Sequence, residues 1–251
     1  MDNYYGNDKR EEMNIPQKMN VFKRLGCLIF SPKDLFLYLK NKPTVLFPLI
    51  LFSIGTIAVQ LLMLEPLKDT KLDEIYNILL NSGKAMSPEQ IKSFLKPFII
   101  LLIAASPFIY IAGWAVRTLI LYCVYRLVNC EKGLKKYFSM TAYIMLLSIV
   151  RDLIHALFLN YFGGNNINAY VTSIASLLDP EMTGSILYSI ASSLEVFNIW
   201  NYILLGIGFA YVGNVEKKKS YVTAVVLFLL TMLISIGWTA LRSGVAARMA
   251  G

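Results

Sequence analysis

KYFSMTAYIMLLSIVRDLIHALFLNYF, the stretch Lys136–Phe162, is an apolar run interrupted by Arg151, Asp152 and His155, the last being the one histidine of the chain. It reads as a membrane-spanning helix with charge inside it. Ionisable groups are costly in hydrocarbon, roughly 2.5–3.5 kcal/mol each for Arg or Asp at a helix centre on insertion scales, so their presence asks for a partner or a purpose. Arg151 and His155 are four residues apart and Asp152 and His155 three apart, which places all three on one broad side of a helix. With Arg151 about ten residues from the outer end, at a depth of roughly 15 Å, that side belongs against protein.

The rest of the chain agrees with a membrane setting. It is 56% hydrophobic and only 16% charged over 251 residues, below the share of about 25% usual in soluble domains. The formal net charge of +8 does not point to nucleic acid, because the basic residues gather at the ends of apolar runs. Cys27, Cys123 and Cys130 have neither an even count nor metal or redox spacing, and read as free thiols ahead of a lipidation site at Cys27. No metal or cofactor is expected.

Outward from the central stretch, further spans are expected at about 43–64, 97–116 with an extension to 125, 185–215 and 221–241, making an all-α bundle of five transmembrane helices. Residues 1–19 read as a disordered cytoplasmic tail. Residues 20–251 form one membrane domain. Asn20 to Lys42 interleaves apolar and basic residues, as one or two amphipathic helices lying in the headgroup region do. Ser31 is the expected N-cap of the second, with Pro32 at its first position and Asp34 in its first turn. The polar stretch 65–96 reads as an extracytoplasmic helical hairpin, its second arm opened by a Ser87-to-Gln90 capping box. Ala169–Leu178 suggests a short surface helix, Gly163–Asn166 a turn, and Asp179–Pro180 the start leading into the fourth span. Lys and Arg number fifteen on the side of the N-terminus against seven on the other, which places the N-terminus in the cytoplasm and, with five spans, the C-terminus outside.

Glu195 comes about ten residues into the fourth expected span and so matches Arg151 in depth. It is the expected partner of Arg151, with Asp152 and His155 completing the cluster and Arg117 and Asn198 as possible additions. Such a set serves either as a structural ion-pair network or as a proton or substrate pathway. Zinc, nucleophile-elbow and phosphate-loop motifs are absent, and an enzyme is not expected.

The order of elements resembles the YIP family, the Ypt/Rab-interacting membrane proteins, in its prokaryotic branch. The resemblance rests on the Phe30-Ser31-Pro32 step into an amphipathic helix and on five closely spaced spans, and it covers roughly Asn20 to Leu241. It implies a non-enzymatic membrane protein, a scaffold or accessory subunit whose partners are the lipid bilayer and another membrane protein. The alternative is a small transporter or channel with a pathway past the polar cluster. The chain lacks the Asp-Leu-Tyr-Gly-Pro segment recurrent in the eukaryotic branch and its tail is short, which weighs against a Rab-type GTPase partner. Richness in Lys, Ile, Asn and Tyr suits a low-GC bacterium and its cytoplasmic membrane.

Overall fold

The computed structural model describes residues 18–81, 87–162 and 169–249, excepting the side chains of 65–81, 88, 91, 92, 94, 95 and 243–249. The expected turn at 163–166 and all but the last two residues of the expected tail fall outside them. Among the described residues the regular structure is helical: α1 Val21–Phe30, α2 Pro32–Asn41, α3 Leu46–Asn81, α4 Pro88–Arg126, α5 Leu134–Phe162, α6 Ile186–Ser193, α7 Val196–Tyr211 and α8 Lys217–Met249. Four segments are long and apolar enough to cross a membrane: Leu46–Leu64, Lys96–Arg126, Leu134–Phe162 and Lys217–Arg242.

The expected span over 185–215 takes another form. It is divided into α6, of eight residues, and α7, of sixteen, with Leu194 and Glu195 between them. At 1.5 Å per residue α7 is about 24 Å long, short of a hydrocarbon core of about 30 Å. Asp179 and Pro180 do not start it. The Asp179 carboxylate accepts from the Glu181 N–H at 3.0 Å and caps only the 3-10 turn Pro180–Met182. Ser185 begins α6 by accepting from the Tyr188 N–H at 3.1 Å. Helix α4 opens at a reciprocal pair, the Ser87 N–H donating to Gln90 Oε1 at 2.9 Å and the Gln90 N–H to Ser87 Oγ at 3.3 Å.

The chain packs into two compact units, the first of 18–49, 113–147 and 198–231, the second of 50–112, 148–197 and 232–249. In the first unit α1 is capped by Asn20, whose side chain accepts from the Lys23 N–H at 2.8 Å. It leaves Phe22 and Phe30 84% and 86% exposed, as a helix at an interface does. The expectation that α2 also lies among headgroups is corrected. Leu35, Phe36, Leu37, Tyr38 and Leu39 are all buried, and five successive residues of a helix point to every side, so α2 is enclosed by protein. The Ser31 hydroxyl makes no capping bond; its carbonyl accepts from the Asp34 and Leu35 N–H groups instead.

Arg24 fastens α1 to this unit. Its guanidinium donates to the carbonyl of Met19 at 3.0 Å, and to the hydroxyls of Thr44 at 3.2 Å, Tyr143 at 3.3 Å and Tyr38 at 3.0 Å. Ser139 adds a second tie by accepting from the Thr44 N–H and donating to the Thr44 carbonyl, both at 2.9 Å. Phe209 of α7 stacks on Tyr125 of α4 at 3.6 Å between centroids and on Tyr137 of α5 at 5.2 Å. Buried Ser220 donates to the Gly206 carbonyl at 2.7 Å, while Tyr125 donates to the Ser220 carbonyl at 3.1 Å.

Gly213, just after α7, sits at a point of close approach. A Cβ there would come within 2.6 Å of the Phe209 carbonyl oxygen, a backbone atom with no rotamer to escape by. Gly113 has nothing within 4 Å of its added Cβ. Gly213→Ala is therefore expected to destabilise the detergent-purified protein by about 1–3 kcal/mol, the usual cost of overpacking, whereas Gly113→Ala leaves it unchanged or more stable. Thermal unfolding of both variants beside the parent checks this, and equal melting points would count against the packing at Gly213.

Candidate functional site

The second unit brings Arg151, Asp152, His155 and Glu195 into one neighbourhood with two residues that sequence reasoning missed, Tyr170 and Thr172. The close ion pair of Arg151 is with its chain neighbour, Arg151 Nη2 lying 2.8 Å from Asp152 Oδ1. The same carboxylate oxygen accepts from Arg151 Nε at 2.9 Å, so the guanidinium is held by a two-nitrogen grip. Its plane lies over the Tyr170 ring, with the central carbon 4.1 Å from the ring centroid. His155 is buried and packs against that ring at 5.0 Å between centroids. Burial, followed by the nearby Asp152 charge and hydrogen bonding to it, pushes the Tyr170 hydroxyl up to about 12, so the phenol stays protonated at neutral pH.

Glu195 is 2% exposed, and the chain has put its carboxylate at a helix start instead of in the middle of a helix. Glu195 Oε1 accepts from the Phe197 N–H at 2.8 Å and from the Thr172 hydroxyl at 2.7 Å. That is the geometry of an N-cap, where a carboxylate answers a free N–H and meets the positive end of the helix dipole. The backbone opened by the break is answered as well. Residues 172–174 run antiparallel to 194–196 in a single bridge between Ser173 and Glu195, the Ile174 N–H donating to the Leu194 carbonyl at 3.4 Å and the Val196 N–H to the Thr172 carbonyl at 3.3 Å. The Glu195 charge also acts electrostatically on Arg151.

The segment that carries Tyr170 and Thr172 is not a surface helix. Its only helical turn is the 3-10 piece Ile174–Leu177, and Ala169 and Ala175 are buried with Tyr188 and Ala191, Leu178 and Met182 packing against them. A tyrosine and a threonine in a polar connection show no periodicity, which is why they went unmarked in the sequence.

Arg117 and Asn198 belong to the first unit. Arg117 donates to Asn201 Oδ1 at 3.0 Å and lies over the Tyr202 ring at 6.0 Å, while Asn198 is half-buried. Among the described residues no three His, Cys, Asp or Glu side chains converge to hold a metal ion. The cysteines are free thiols, Cys130 buried, Cys123 exposed and Cys27 between the two.

Four segments long and apolar enough to cross a membrane define a helical integral membrane protein. The sequence profile of the Yip1 domain matches residues 26–239, and the chain belongs to that family. Membrane protein YknW of Bacillus subtilis (strain 168) is 26% identical over 102 residues, a match spanning 41% of this chain and 42% of that protein. The chain thus aligns with less than half the length of this relative. No solved structure matches the chain.

The Thr172 hydroxyl bonds a buried carboxylate, and hydrogen bonds to charged groups contribute about 1.5–3 kcal/mol. Thr172→Val is expected to lower stability by that order, while Thr172→Ser, which keeps the hydroxyl, costs far less. Melting curves of the two purified variants decide it; equal losses would mean that the bond to Glu195 contributes nothing.

Proposed function

We propose that the protein acts by interaction, as a non-enzymatic scaffold or accessory subunit of a membrane complex in the bacterial cytoplasmic membrane. One observation carries this reading: the buried carboxylate of Glu195 is engaged in building the helix break, accepting from Phe197 and Thr172, while Arg151 is gripped by Asp152 and covered by Tyr170. These are structural duties. A group that must bind and release a proton or substrate is served poorly by such ties. With Leu35–Leu39 of α2 buried, the exposed face of α1 is the described surface that best suits a membrane-protein partner.

The second reading, a small transporter or channel, is favoured by one feature. A helix interrupted beside buried charge is how many transporters expose backbone to a substrate. Purification from native membrane in mild detergent, with quantitative mass spectrometry of what accompanies the protein, separates the two. A stoichiometric membrane protein is the result expected of an accessory subunit. A protein that emerges alone, and whose flux in liposomes is abolished by Arg151→Gln, overturns that reading in favour of transport.

In the proposed topology α6 and α7 together supply the fifth crossing, with the N-terminus in the cytoplasm and the C-terminus outside. Glu89 and Lys218, both exposed, then lie on opposite sides. With the three native cysteines replaced by alanine, Glu89→Cys is expected to react with an impermeant maleimide in intact cells and Lys218→Cys only after permeabilisation. The reverse pattern would invert the topology.

A further inference from the structure

The chain between Ser173 and Glu195 closes into a lobe of the second unit. Its two ends are tied by the antiparallel bridge of those residues, and within it the 3-10 turn Ile174–Leu177 packs against α6. The lobe has a small core of its own, Ala175, Tyr188 and Ala191, with Leu178 and Met182 packed against them. The Ser189 hydroxyl shares a hydrogen bond of 2.7 Å with that of Thr239, which fastens α6 to α8. What the lobe turns outward is apolar. Ile174 and Leu177 are three residues apart on the 3-10 turn, where such positions eclipse, and both are exposed, Leu177 by 85%. Ile186 and Leu187, at the start of α6, are exposed as well. Four large aliphatic side chains held outward by a closed base and a separate core make a preorganised surface. The lobe also differs in sign from a chain whose formal net charge is +8: residues 169–193 contain Asp179 and Glu181, both exposed, and no Lys, Arg or His.

These two features together select the occupant. Exposed carboxylates stay out of hydrocarbon, and Leu177 lies two residues before Asp179, about 7 Å of chain away. It is therefore held at or beyond the headgroups, where an anionic leaflet repels Asp179 and Glu181. A second copy would bring an equally acidic lobe across a twofold axis and set like charges against each other. The surface that complements both features is a protein patch with apolar side chains at its centre and Lys or Arg at its rim. We infer that the lobe 174–193 is the docking site for such a basic, apolar surface on a membrane-protein partner. The inference rests on the accessory-subunit reading and adds to the α1 face a second contact of stated chemistry.

The test introduces a photo-crosslinker into the full chain, Leu187→p-benzoylphenylalanine, and identifies the products of irradiating native membranes by mass spectrometry. An adduct with one membrane protein is expected. Its yield is then compared among variants in dilute mild-detergent extract, where occupancy follows affinity. Leu177→Ser and Glu181→Gln, each made in that background, lower the yield roughly fivefold, the order that one exposed ion pair at its strongest contributes. Glu89→Gln removes an equal charge from another exposed position of the unit and leaves the yield within about twofold. Both lobe variants alter exposed side chains, and a melting curve matching that of the parent shows that the fold is kept; if one of them fails to fold, the other still decides. Capture alone is not support. An adduct that neither lobe variant weakens overturns the inference, as does an adduct with lipid, an adduct with a second copy, or none. If a stoichiometric membrane protein co-purifies while the lobe gives no adduct, this inference falls and the accessory-subunit reading stands; if nothing accompanies the protein, the reading itself falls.

Discussion

Where no water answers a broken backbone, every buried N–H, carbonyl and charge removed from a regular helix needs a partner within the protein. The break between α6 and α7 shows how this chain meets that requirement. Ending α6 at Ser193 and restarting at Val196 frees donors and acceptors, and the segment 172–174 supplies a strand-like edge to receive them. Glu195 then caps the restarted helix, while the Asp152 carboxylate holds Arg151. The location of the buried acid, the pairing of 172–174 and the shortness of α7 are consequences of this one arrangement.

A second regularity ties the chemistry of the two units together. Each of Arg24, Arg117 and Arg151 lies over a tyrosine ring, Tyr38 at 4.9 Å, Tyr202 at 6.0 Å and Tyr170 at 4.1 Å. Guanidinium is weakly hydrated and planar, so it gives up water more readily than an ammonium does and stacks on an aromatic face. A tyrosine also offers a hydroxyl, as Tyr38 and Tyr143 do to Arg24. Fifteen tyrosines in the sequence, unremarkable as hydrophobic bulk, include the groups that make the partly buried Arg24 and Arg151 tolerable.

Much of this was legible in the sequence. Apolar length and the placement of lysines revealed a helical membrane protein, and the spacing of Arg151, Asp152 and His155 put them on one side of α5. The break at Glu195 was not legible. No proline or glycine marks it, and Leu194 and Val196 flank it with ordinary apolar character; only the antiparallel segment, twenty-two residues earlier, makes the interruption favourable. The enclosure of α2 was missed for a related reason. Lys33, Lys40 and Lys42 give the segment a surface-like composition, while the run Leu35–Leu39, apolar in every direction, was the better guide to its surroundings.

The Arg24 anchor also sets an order of events during synthesis. Its bond to Tyr143 spans 119 positions, so the ribosome must add more than a hundred residues after Arg24 before the partner exists. At about 5–20 residues per second that is a delay on the order of ten seconds. Through it, Leu35–Leu39 have no finished fold to enclose them, and the membrane surface or a chaperone must shelter them. The N-terminal helices are made first and take their final seats late, so a chain arrested before α5 would display as an adhesive surface what the mature protein keeps inside.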